Sequence, residues 1–212
     1  MNAHRHLLNA SALAVVALAL AGCDKPAPES TATAPATVTS GTTAPAASAA
    51  PAAAPQTQRD AYEAASKGTG FTTGPVMAAN TVYVFFDPTC PHCAALWNNA
   101  QALQTKLKIV WMPIGLLRSS SGPQGATILS AKDPVAAMTE NETSVLAHGG
   151  GITVPQNLSD DVLTKVKANT DIFKSLGAES VPLIVYRNSK NGQFGKHDGA
   201  VSAEDLTAMV GL

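Results

Sequence analysis

Cysteine is scarce in this chain, charge is sparse, and nothing outside the amino terminus is apolar for long enough to cross a bilayer. Three cysteines in 212 residues cannot build a disulfide-dense framework. A closed zinc site wants four ligands, and beyond the amino-terminal His4 and His6 there is neither a second Cys-x-x-Cys nor a pair of closely spaced histidines to complete one. His148 and His197 stand alone and read as surface residues. Charged residues make up only 14% of the chain, with 14 basic against 15 acidic, so no basic patch points to nucleic acid.

What is present begins with an address. Arg5 and two histidines precede an apolar run from Leu13 to Ala21 that ends in Leu20-Ala21-Gly22-Cys23. The run is short for a span, which needs about 20 residues, and small residues just before Cys23 are what a signal peptidase accepts. The Leu-Ala-Gly-Cys string resembles the bacterial lipobox, which implies a diacylglycerol on the Cys23 sulfur and cleavage before it. An ordinary signal peptide with an incidental cysteine is the alternative. Removing residues 1–22 takes away Arg5 as the single formal charge and leaves thirteen basic and fifteen acidic residues. Lipidation of Cys23 would also account for the odd cysteine, leaving Cys90 and Cys93 as a pair.

From Asp24 to Thr57 the chain is Ala, Pro, Thr and Ser with Val38 as its one larger aliphatic. Such a segment buries too little apolar surface to offset its ordering entropy, so residues 23–57 are expected to form a disordered, lipidated tether. Its reach is roughly 30 to 100 Å, depending on its polyproline content. Residues 58–212 then suffice for one compact α/β domain.

Periodicity predicts a helix over 58–67, ended by Gly68 and Gly70. The unbroken apolar run 81–86 predicts a central strand covered on both faces. A helix follows over 91–106 with Pro91 at its first position, then a buried strand over 108–114. Helices are expected over 122–131, over 134–148 and after the cap Ser159, the last ended by Gly177. A hairpin pairs 183–186 with 193–197 through Asn191-Gly192, and a helix closes the chain over 202–210. Trp97 and Trp111 read as core packing.

Cys90-Pro91-His92-Cys93 carries the chemistry. The spacing puts Cys90 at the cap of a helix, against unpaired backbone N–H groups and the positive end of the macrodipole, which favours its thiolate. Sites of this kind bring a thiol from about 8.5 to roughly 3.5 to 7. Cys90 is thus the expected attacker and Cys93, a turn further in, the resolving thiol of a thiol-disulfide exchange. A protonated His92 would stabilise the thiolate further; as an exposed spacer it would not. The exchange needs no cofactor and no metal. Two other readings of the same residues stay open: copper or zinc held by Cys90, Cys93 and His92, and a tethered chaperone-like protein that binds chains without turnover.

The stretch from Val82 to Cys93, Val-Tyr-Val-Phe-Phe-Asp-Pro-Thr-Cys-Pro-His-Cys, resembles the active-site strand and helix of the bacterial DsbC and DsbG thiol-disulfide interchange proteins. Ile-Leu-Ser-Ala-Lys-Asp-Pro at 128–134 resembles the helical insertion of DsbG, and Leu176-Gly177-Ala178 leading to Val181-Pro182-Leu183 resembles the entry to its next strand. The resemblance implies a thioredoxin-like fold with a helical insertion and a cis peptide bond at Pro182. It also implies that the backbone of Val181 pairs with an extended substrate. Exported cysteine-containing proteins would be the partners, together with a membrane thiol reductase or a quinone-linked oxidase, and the compartment would be the periplasm. Asp24 after the lipidated cysteine resembles an inner-membrane retention signal.

Three departures from that family stand out. The tether and a short helix occupy the place of its amino-terminal dimerisation module, so a monomer is expected. The Pro91-His92 dipeptide, like Val181, resembles the oxidase DsbA more than the isomerases. Finally, Val84 stands where thioredoxin keeps a buried acid, and Asp87, in its Asp-Pro setting, reads as a turn residue.

Overall fold

A computed structural model describes residues 55–78 and 80–212. The expected signal peptide over 1–22, Cys23 and most of the expected tether over 23–57 lie outside the described residues.

Five strands form one sheet in the order β1-β3-β2-β4-β5: β1 is Phe71–Thr73, β2 Thr81–Phe86, β3 Lys108–Pro113, β4 Leu183–Arg187 and β5 Phe194–Asp198. β2 and β3 run parallel, with Val84 opposite Trp111, and every other pairing is antiparallel. β2 is the middle strand, as its unbroken apolar character predicts. Its side chains alternate between two covered faces. Tyr83 meets Tyr62 of α1 (Pro55–Ala65) edge-on at 5.1 Å, and Phe85 meets Phe173 of α5 (Asp160–Ser175) at 6.1 Å. On the other face Phe86 packs on Phe71 and Trp111, and Trp111 meets Trp97 of α2 (Pro91–Ala100) at 5.0 Å. Both tryptophans are buried, and the Trp111 indole N–H donates to Thr73 Oγ1 at 3.0 Å, so the polar end of a buried ring is satisfied.

The remaining helices are α3 (Ser121–Ser130), α4 (Pro134–Leu146) and α6 (Ala203–Val210). Their starts follow local chemistry. Asp133 accepts from Ala136 N at 3.0 Å at the head of α4, and Ser202 accepts from Asp205 N at 3.0 Å at the head of α6. Gly177 and Gly211, at φ 66° and 73°, end α5 and α6 in the left-handed conformation that suits glycine.

Beyond shifts of one or two residues, three elements differ from the sequence expectation: α1 begins at Pro55 rather than at 58, taking in the last three residues of the expected tether, and two others differ more. α2 stops at Ala100 and continues only as a 3₁₀ turn over Gln101–Leu103, rather than reaching Lys106. Asn98 and Asn99 weaken that end of the helix, and Asn99 Nδ2 is drawn away to donate to Val201 O at 2.8 Å. β1 was not expected, because three residues between glycines are too few to show a period. It exists through tertiary pairing with β3, where Gly70 lets the backbones close: a Cβ there would sit 2.5 Å from Trp111 O.

Trp97 ties β1, β3 and α2 together. Replacing it with alanine is expected to cost about 3 to 5 kcal/mol, read as a lowered urea midpoint with unchanged slope.

Candidate active site

β2 delivers the chain to the site and α2 carries it away. Cys90 is the N-cap of α2, in extended conformation at φ −92° and ψ 116°, with Pro91 at the first helical position. The fixed φ of proline suits that position, and its missing N–H is one the first turn leaves unpaired. Cys93 N and Ala94 N both donate to Cys90 O, at 3.0 and 3.2 Å, which closes the first turn and stacks the second sulfur behind the first. Both thiols are free; Cys90 keeps 4% exposure and Cys93 none. Pro91 and His92 are exposed beside them.

The two sulfurs are electrostatically unequal. The Cys90 thiol is lowered from 9.0 to about 6, first by a hydrogen bond from the Cys93 thiol, against the cost of burial. The backbone N–H groups of Cys93 and His92 and the His92 charge lower it further. Cys93 moves the other way, well above 9.0, because burial, its hydrogen bond to Cys90, and the charges of Cys90 and Glu142 all oppose ionisation. One proton is therefore shared unequally: Cys90 is mostly thiolate at pH 7 and Cys93 holds the hydrogen. The first-turn N–H groups and the His92 charge contribute, but the larger cause is the partner thiol.

The Val181–Pro182 peptide is cis, and Val181 O lies 3.6 Å from the Cys90 sulfur, within reach of its thiol hydrogen. Val181 and Pro182 are buried at the entrance to β4. Residues separated by ninety positions thus meet at one sulfur. Among the described residues no three His, Cys, Asp or Glu side chains converge as a metal site.

Beneath the sulfurs lies a buried polar cluster that sequence patterns did not assign to the site. Asp87 is fully buried and its carboxylate accepts five hydrogen bonds. Oδ1 receives Thr89 N, Thr89 Oγ1 and Ser121 Oγ at 2.7 to 2.9 Å; Oδ2 receives Leu116 N and Leu117 N at 2.8 and 2.9 Å. The residue does make a turn, as its Asp-Pro setting suggests, but it also clamps the loop before Cys90 to the loop after β3. Asn141 of α4 reinforces the same loop through Nδ2, which donates to Pro88 O at 2.8 Å.

Glu142 is the second buried acid. No part of it is exposed, Oε1 is 3.3 Å from Asn141 Nδ2, and Oε2 has no hydrogen-bond partner among the described residues. Burial pushes its carboxyl up to about 8; the Asn141 hydrogen bond opposes this, and the charges of Cys90 and Asp87 add to it. A spacing signal existed. Ala137, Asn141 and Val145, with Met138 and Glu142 beside them, form the buried face of α4. Against the polar string Thr139-Glu140-Asn141-Glu142-Thr143 that face reads as a solvated one.

With this geometry in view, the chain defines a class. A profile described as a thioredoxin-like domain matches residues 77–211, and the chain belongs to that family. Among curated proteins it is similar to the thiol:disulfide interchange protein DsbG of Pseudomonas aeruginosa, 24% identical over 155 residues that cover 72% of this chain and 59% of that one. DsbG of Escherichia coli K12 is 28% identical over 137 residues, 63% of this chain and 54% of that one. The chain thus spans between half and three-fifths of the length of these relatives. Among solved structures, the catalytic domain of Proteus mirabilis ScsC superposes with a TM-score of 0.57 at 18% identity, covering 74% of this chain and 96% of that domain, a likeness of fold.

Two outcomes test the buried acids. Replacing Asp87 with alanine strands five donors and is expected to destabilise the fold by at least about 3 kcal/mol in urea. For Glu142, a folded-state carboxyl raised from 4.5 to about 8 stabilises the fold fully below pH 4.5, and that contribution is lost as pH rises through 8. Because the lowered Cys90 thiol adds stability as pH rises from about 6 to 9, the decline is read in a Cys90→Ser background, where thermal melts between pH 5 and 8.5 should show it and lose it on adding Glu142→Gln.

Proposed function

We propose that this protein is a periplasmic thiol-disulfide oxidoreductase acting on exported cysteine-containing proteins through Cys90 and Cys93. The observation that carries the reading is the split between the two thiols, one lowered to about 6 and one raised, beside a cis proline. Kinship with proteins named thiol:disulfide interchange proteins supports it.

In the reducing direction the Cys90 thiolate attacks a substrate disulfide. A Cys90–substrate S–S bond forms as the substrate S–S bond breaks, and the departing thiolate takes a proton from water. Cys93 then attacks the Cys90 sulfur: the internal disulfide forms, the mixed disulfide breaks, and the second substrate thiol leaves. Cys93 must first release its proton, and in this reading the ionised fraction of Glu142, which grows once the Cys90 charge is lost in the mixed disulfide, receives it and passes it to the departing substrate thiolate. The oxidising direction runs the same steps backwards. Val181 and Pro182 form the edge on which an extended substrate pairs. Pro91 and His92 tune the sulfurs, and stabilising the Cys90 thiolate biases the couple towards the oxidising side.

The working domain in this proposal is 58–212, carried on the tether 23–57 after loss of residues 1–22. Cys23 bears the lipid, probing from the periplasmic face of the inner membrane, and the protein works as a monomer with a membrane thiol reductase or oxidase as its redox partner. The Leu20-Ala21-Gly22-Cys23 string and Asp24 support the anchor. Among the described residues no helix is long and apolar enough to cross a membrane.

Alkylation of the reduced protein against pH should titrate with a midpoint near 6, and Cys90→Ser should abolish both this reactivity and turnover. Cys93→Ala should still attack and accumulate a mixed disulfide with substrate. A Cys90 no faster than an unstructured thiol at neutral pH would defeat the proposal. Equilibration with glutathione fixes the direction: about −120 mV marks an oxidant, and about −200 mV or below a reductase.

A further inference from the structure

A cavity of about 210 Å³ opens directly beside the redox loop, walled by Thr89 and Pro91 on one side and by Ser120, Arg118 and His148 on the other. Pro91 lies between the two cysteines in sequence, so anything seated here touches the loop that presents the Cys90 sulfur. No carboxylate lines the cavity. Neither the Arg118 guanidinium nor the His148 imidazole takes part in an ion pair or a side-chain hydrogen bond among the described residues, where the ion pairs are Lys165–Asp161 and Lys167–Asp171.

Both basic residues are held by the framework that holds the cysteines. Arg118 N donates to Ser121 Oγ at 3.1 Å, and that hydroxyl donates to Asp87 at 2.8 Å. His148 sits just past α4 at φ 59°, the single non-glycine residue with positive φ among the described residues. A left-handed histidine is uncommon and persists where its surroundings over-determine it. Here they do: Gln124 Nε2 donates to Gly150 O and Ile152 O, and Ile152 N donates to Asn141 Oδ1. The α4 end and the loop after β3 therefore hold two basic side chains, unpartnered among the described residues, at one opening beside the redox loop.

We propose that this cavity is a substrate subsite for a carboxylate, and that it selects protein substrates with an aspartate or glutamate near the target cysteine. The inference rests on the thiol-exchange reading and names the substrate class for that same site. Arg118 supplies a fork of N–H donors suited to a carboxylate, and His148 supplies a further donor. The carboxylate could equally come from glutathione, and the test separates the two sources.

Disulfide-linked peptides that differ only in bearing glutamate, glutamine or lysine at each position from three before to three after the cysteine supply the readout. At low salt, glutamate should exceed glutamine by about fivefold in exchange rate at one or two positions, as expected of one exposed ion pair with Arg118 and a hydrogen bond from His148, with lysine slowest. The preference should fall below about twofold in 0.5 M salt and in the double variant Arg118→Gln/His148→Asn, where asparagine tolerates the left-handed backbone. Equal rates for glutamate and glutamine at every position, or a preference that survives the double substitution, overturn the subsite and leave the redox reading standing. A double variant slowed on glutathione disulfide but not on the peptides overturns the selection of protein carboxylates. Absence of exchange with every peptide and with glutathione overturns the redox reading itself, and the subsite with it.

Discussion

The placing of two buried thiols one turn apart at the head of α2 decides what this domain can do. Burial, more than the partner sulfur, holds Cys93 protonated, while the partner thiol lowers Cys90, so one chemical type yields an ionised nucleophile and a protonated reserve within a single helical turn. Both sulfurs are nearly dry and held close, and much of the surrounding structure serves that arrangement. The first turn of α2 stacks them, Trp97 and Phe86 close the interior behind them, and the carbonyl before Pro182 faces the outer one.

A dry site cannot rely on water to hold its loops, so buried carboxyl groups do so. The fivefold-bonded carboxylate of Asp87 fixes two loops whose backbone N–H groups would otherwise be unpaired, a role that outweighs the cost of burying the residue. Glu142 differs because it lacks such partners. With one oxygen unbonded and its affinity for protons raised, it remains able to change charge near neutrality, in a place where the charge of Cys90 also changes. Asp87 is structural because it is satisfied, and Glu142 is responsive because it is not.

Local signals made much of this legible in the sequence. The apolar run 81–86, the Cys-Pro-His-Cys spacing, the cap Ser159 and the terminating Gly177 each act within a few residues, and the structure carries each of them. The cis bond at Pro182 came from family resemblance, since a proline at a strand entrance permits either isomer. What escaped depends on partners far along the chain. β1 is stabilised by residues some forty positions away, the partners of Asp87 lie at 116, 117 and 121, and Glu142 hides in a polar helix string whose burial is decided by the redox loop. The early end of α2 likewise reflects a side-chain bond to Val201, a hundred residues on.

The chain has only two tryptophans, and they touch: Trp97 follows Cys93 by one turn of α2 and meets Trp111 with ring centres 5.0 Å apart. All indole emission from this molecule therefore originates in one coupled pair behind the sulfurs. Because a neighbouring thiol and a disulfide quench indoles differently, the protein carries a built-in optical gauge of its own oxidation state, needing no attached dye.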